Sequence, residues 1–127
     1  MCFQKDLIQS LAYQTAFDFG SLLGLEMPII IKVSKAQKFE RGCFAIWENM
    51  SDENGNQYHQ ITLAMGVHWE NAPELGNTII HELIHCWQEE KGLDVDHNAE
   101  FWAFEELANK YGYTIRYPGD NYTEFLH

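Results

Sequence analysis

The segment NAPELGNTIIHELIHCWQEEKG, residues 71–92, decides how this chain is read. Asn71 can cap a helix, Pro73 fits the first turn, Glu74 suits the positive end of the dipole and Gly92 can close it. That order predicts a helix over about residues 73–91. Along it Thr78, His81, His85 and Gln88 form one polar face, while Ile80, Leu83, Ile84 and Trp87 supply the apolar one. Residues four apart stack on the same side of a helix, so the imidazoles of His81 and His85 can reach one cation. Glu82 turns aside, toward the position a reacting water would take. Zinc hydrolysis needs these residue types. Neutral imidazoles hold the ion without cancelling its charge, and a carboxylate takes the proton from a water whose pKa the metal lowers to about 7. Two solvent-facing histidines on an ordinary amphipathic helix would give the same string, so the pattern permits a site without proving it.

Two histidines need a third ligand. A metzincin pattern would demand Gly at 88 and His at 91, where Gln88 and Lys91 stand. Glu105 or Glu106 on the following helix could serve in a gluzincin arrangement. His97 is the better candidate, because the loop Gly92-Leu93-Asp94-Val95-Asp96 lets the chain reverse and return to the metal. Asp94 and Asp96 can accept a hydrogen bond from a ligand's second ring nitrogen, and Glu100 can orient a ligand or simply solvate its helix. Tyr111, Tyr113 and Arg116 could stabilise a tetrahedral oxyanion, although no spacing rule selects among them. Cys86 points about 100° away from its neighbour His85 on a helix and belongs to the core.

Outward from this segment, Lys5 to Leu25 carries apolar residues at Leu7, Ile8, Leu11, Ala12, Ala16, Phe17 and Phe19, the period of an amphipathic helix. Ile29 to Val33 reads as a short buried strand and Cys43 to Trp47 as another. Ile61, Leu63 and Met65 alternate with Gln60, Thr62 and Ala64, the period of a half-buried strand. Asn54-Gly55 marks a turn in a loop longer than the minimal two residues. A last helix fits residues 97–110, with Phe101, Trp102, Phe104, Leu107 and Ala108 apolar and Gly112 just past its end. The order of helix, strands, helix and helix predicts an α+β fold with a small, mostly antiparallel sheet. An exposed strand at Gln60 to Met65 is expected to bind substrate by β-addition.

Composition bounds the rest. In 127 residues, 8 Lys+Arg stand against 19 Asp+Glu, a formal net charge of −11, with 46% hydrophobic residues and no repeats. One domain, residues 1–127 with a core at about 25–112, is expected. Seven acids and five bases fall in residues 1–69, twelve acids and three bases in residues 70–127. The balance disfavours nucleic acid as a partner through the whole surface. Lys32, Lys35, Lys38 and Arg41 form the basic cluster, read as a solvated strand and loop, with a local nucleic-acid or substrate contact as the lesser alternative. Cys2, Cys43 and Cys86 have no C-x-x-C spacing, which excludes a zinc ribbon and argues for a reducing, cytoplasmic location. The N-terminus has no basic and apolar leader pattern, and the longest apolar run, Met27 to Ile31, is too short to span a membrane. His59, His68 and His127 read as surface or structural, and Trp87 and Trp102 as packing.

His81-Glu82-Leu83-Ile84-His85, a short loop, then His97-Asn98-Ala99-Glu100-Phe101-Trp102 resembles the SprT-like metallopeptidases, which include the Spartan proteases. In that family the third zinc ligand is the His of an H-G-x-x-F/W segment, which the match places on His97. Gly42-Cys43-Phe44-Ala45 to Gln60-Ile61-Thr62-Leu63 is similar to the family's hairpin before its zinc helix, so the resemblance spans roughly residues 25–110. It implies a zincin-like minimal metalloprotease holding one Zn²⁺ on His81, His85 and His97, with Glu82 catalytic. Its substrates would be proteins crosslinked to or bound on DNA. Asn98 stands where the family usually has Gly, and Asn tolerates the left-handed backbone such a turn would use. Two other readings compete with a peptidase. One is a non-catalytic, zinc-stabilised adaptor whose acidic C-terminal half binds a basic partner or mimics nucleic acid. The other is a zinc hydrolase of a non-peptide amide.

Overall fold

The computed structural model describes residues 5–34, 45–64 and 72–115. The readings made for Cys2, Lys35, Lys38, Arg41, Cys43, Met65, His68, Asn71, Arg116 and His127 lie outside them. The described elements are α1 (Lys5–Leu23), β1 (Ile29–Ser34), β2 (Ala45–Ser51), β3 (Gln57–Ala64), α2 (Ala72–Glu90), the single turn α3 (Ala99–Trp102) and α4 (Glu105–Lys110). The fold class is α+β, and no described helix is long and apolar enough to cross a membrane.

Helical periodicity sets the core. On α1, Ile8, Ala12, Ala16, Phe19 and Leu23 recur every three or four residues and are all buried. They meet Leu75, Ile79, Ile80, Leu83 and Ile84 of α2 in one hydrophobic cluster. Strand periodicity supplies the other layer. Ile61 and Leu63 of β3 are fully buried, flanked in register by Ile31 and Val33 of β1 and by Trp47 and Ala45 of β2. This face packs on the helices, while Ile30 and Lys32 on the opposite face are exposed. The hairpin between β2 and β3 turns on Asp52, whose Oδ1 accepts the backbone N–H groups of Asn54 (2.8 Å) and Asn56 (2.9 Å). Those bonds hold its carboxyl below the usual carboxylate range.

Three expectations change. The sheet is mixed, not mostly antiparallel: its order is β1-β3-β2, with β3 antiparallel to β2 and parallel to β1. Alternating hydrophobicity reports which face of a strand is buried and says nothing of its neighbours, so insertion of β3 between the other two was not visible in the pattern. Because β3 is paired on both sides, the described part of the Gln60 to Met65 stretch, Gln60 to Ala64, is not an edge open to β-addition. Among the described residues the edges belong to β1 and β2. That of β1 is occupied at Ile31, whose N–H donates to Tyr13 Oη (2.8 Å) and whose carbonyl accepts from Gln9 Nε2 (2.7 Å), both from α1. Finally, the helix expected over 97–110 is broken. It starts at Ala99, pauses at Ala103 and Phe104, and resumes at Glu105.

Helix α2 ends on a Schellman closure. Gly92 takes φ +71°, its N–H reaches the Glu89 carbonyl (3.1 Å), and the N–H of Leu93 reaches that of Gln88 (2.9 Å). A residue with a Cβ would be strained there, so the glycine is what turns the chain back along α2. At the other end, a Cβ on Gly76 would fall 2.5 Å from Tyr113 Cε1, so only glycine lets the segment after α4 pack this closely.

Candidate metal centre

The polar face of α2 points inward. Thr78 and His81 are each 5% exposed, Glu82 1%, and His85 and Gln88 0%. Solvent-facing histidines on an amphipathic helix are therefore excluded. A buried polar face needs internal partners, and the chain beyond α2 supplies them.

The Gly92 turn sends residues 93–98 back across α2 and delivers His97 to the other two imidazoles. Ring centroids of His97 lie 4.8 Å from His81 and 5.0 Å from His85, which are 5.2 Å from each other. Nε2 of His81 and Nε2 of His97 approach to 2.8 Å. One candidate ligand nitrogen from each of the three rings falls within 4.8 Å of the others, a set that could hold a metal ion. Among the described residues no other group of histidine, cysteine and acid side chains does so, which leaves Glu105 and Glu106 outside the cluster.

Phe101 forms the floor. It is fully buried, and its ring centroid lies 4.7 Å from His81, 5.0 Å from His85 and 4.9 Å from His97. Trp102 Nε1 donates to the carbonyl of His97 (3.2 Å), tying the third histidine to α3. Asn98 is the N-cap of α3, with Oδ1 accepting the N–H of Phe101 (3.1 Å). Its backbone is extended, φ −98° and ψ −171°, and not the left-handed conformation expected for a glycine replacement. The short polar side chain is used for capping instead of tolerance of a turn.

The residues expected to orient the ligands stand elsewhere. Asp94 and Glu100 are exposed, and Asp96 Oδ1 accepts the backbone N–H of His97 (2.8 Å). Gln88 does what was expected of an acid: its Oε1 lies 2.9 Å from His85 Nδ1. Its Nε2 donates to the Asp96 carbonyl (2.9 Å) and to Asn98 Oδ1 (3.2 Å). The signal was present in the sequence as the fourth member of the polar face, three residues past His85. Tyr111 and Tyr113 pack edge-on against Phe19 of α1, at 6.4 Å each, a packing role between α1 and the segment after α4. Trp87 packs on Phe104 at 4.7 Å and Cys86 is fully buried, as expected of core residues.

Glu82 is the electrostatic anomaly. Burial pushes its carboxyl well above the usual carboxylate range, and its Oε1 is buried without a hydrogen-bond partner. An orphaned carboxylate oxygen on the residue next in sequence to His81, one of three convergent imidazoles, fits a divalent cation, whose charge would compensate the desolvation.

No family model matches the chain, and no curated protein or solved structure is detectably similar to it.

Proposed function

We propose that this chain is a zinc-dependent metallopeptidase with a zincin-like, SprT-like arrangement. The observation that carries the reading is the convergence of His81, His85 and His97 on one point, with the buried, unsatisfied Glu82 next in sequence to the first of them. Three neutral nitrogen ligands suit zinc and leave a fourth position open. Zinc held there supplies Lewis acidity, lowering the pKa of water to about 7 and polarising a carbonyl.

The protein's own groups do the rest. Glu82, next in sequence to the first imidazole, takes the proton from the attacking water and returns it to the leaving amine. Phe101 excludes water beneath the imidazoles and fixes their planes. With β3 enclosed, substrate backbone would pair with the outer edge of β2, the strand that also packs against α2. Main-chain pairing recognises an extended polypeptide with little regard to its side chains, so unfolded protein is the substrate class.

The test is cleavage of denatured casein. Glu82→Gln should lower kcat by about 10²–10⁴-fold while zinc content stays at one per chain, and a chelator should stop the wild-type reaction. A wild-type chain that holds zinc and leaves casein intact would overturn the peptidase reading and leave the zinc-stabilised adaptor and the non-peptide amide hydrolase standing.

A further inference from the structure

Gln88 is fully buried and meets three polar groups at once. Two of them have unambiguous roles. The Asp96 carbonyl can only accept, and Asn98 Oδ1 is fixed as an acceptor because it already takes the N–H of Phe101. The atom of Gln88 facing both must be the NH₂ group, since the opposite orientation would aim its carbonyl at two oxygens. Its carbonyl oxygen then faces His85 Nδ1 at 2.9 Å, and that contact is a hydrogen bond only if Nδ1 carries the hydrogen. The Asp96 carbonyl and the Asn98 side chain, eight and ten residues away, thereby set the tautomer of His85 as Nδ1–H, leaving Nε2 with the lone pair.

We infer that Gln88 is the positioning residue of the metal centre: its carbonyl selects Nε2 of His85 as the ligand atom, and its NH₂ clamps the 96–98 loop that carries His97. The role rests on the metal reading above. Both halves act through one side chain, so the second ligand of α2 and the ligand from outside it are registered against each other. The position needs one acceptor and two donors in a planar group. An amide meets that demand; a carboxylate lacks the donors, and an ammonium lacks the acceptor. This explains why a glutamine, and not the acid usual beside a ligating histidine, occupies the site. The main-chain carbonyl of Gln88 is engaged as well, accepting the N–H of Leu93 in the helix closure, so the residue grips the returning loop at two levels.

The test uses the intact chain and two near-isosteric variants. Long-range ¹⁵N–¹H correlation on the metal-free protein reads the His85 tautomer directly, independently of any metal. Wild type should show Nδ1–H, Gln88→Glu should keep it because the acceptor remains, and Gln88→Met should lose it. Zinc competition with a chromophoric chelator should show affinity lowered about 10–100-fold in Gln88→Met, with far-UV circular dichroism unchanged. A wild-type His85 in the Nε2–H form overturns the proposal whether or not metal binds. Unaltered zinc affinity in a folded Gln88→Met protein overturns it while leaving the metal reading intact. A wild type with the expected tautomer that binds no zinc overturns the metal reading and the ligand-positioning role with it.

Discussion

Helix α2 takes part in two buried histidine settings built in opposite ways. At its C-terminal end, Glu90 Oε2 lies 2.7 Å from Nε2 of His59 on β3, and Trp47 Nε1 donates to Nδ1 of the same ring (3.0 Å). The backbone N–H groups of Glu26 (2.8 Å) and Met27 (3.1 Å) complete the carboxylate. Every polar atom there meets a complementary one, and the cluster joins β2, β3, α2 and the chain before β1. At the middle of the helix, three imidazoles converge on one another and a neighbouring carboxylate keeps an unsatisfied oxygen. His59 and His85 are both fully buried, so burial does not distinguish a structural histidine from a candidate ligand. The direction in which the ring nitrogens are spent does.

The sharpest way to break this contrast is to delete one histidine from each setting. His97→Ala should lose stoichiometric zinc, and with it casein cleavage, whereas His59→Gln should retain one zinc per chain; metal analysis after dialysis decides. If both variants keep zinc, the two settings do not differ in kind. The converse holds for folding. His59→Gln should lower stability by about 2–3 kcal/mol, because Trp47 Nε1–H and the Glu90 carboxylate lose a common partner inside the protein. Urea denaturation measures that loss. Trp47→Phe removes a single donor from the same cluster and should lower stability by about 1 kcal/mol, read from the same denaturation midpoints.

The smallest effect is in the acid range. Burial works against the charged form of Glu90, but the N–H of Glu26, the His59 ring and the N–H of Met27 outweigh it and hold the carboxyl below its ordinary 4.5. A carboxylate with a depressed folded-state pKa stabilises the fold above its unfolded value and loses that contribution as pH falls through the folded one. Wild-type stability should therefore drop below pH 4.5 by an increment that Glu90→Gln lacks, seen in denaturation midpoints across that range. An equal drop in the variant would mean that the cluster does not depend on the charge.

How far the sequence revealed these two settings follows from their span. The candidate ligands His81 and His85 share one helix, and the Gly92 turn that returns His97 is local, so spacing sufficed to nominate all three. Helix α2 was likewise legible, starting at Ala72 and ending at Glu90 against an expected 73–91. Gln88 was placed on the polar face but given no role, because its partners are a main-chain carbonyl and a cap, neither of which has a sequence signature at that distance. The break in the last helix has no Gly or Pro to announce it, since Ala103 and Phe104 are tolerated in helices. His59 and Glu90 lie 31 positions apart on different elements, and only the tertiary fold could pair them.

The side chains that occupy β1 have a consequence for assembly. Tyr13 and Gln9 hold the outward N–H and carbonyl of Ile31, so among the described residues the sheet offers one end, β2, to an incoming strand. A second copy pairing there would use up its own available end in the same act. Strand pairing between two copies at β2 would therefore close on itself, with the cover on Ile31 opposing further addition at the other end of the sheet.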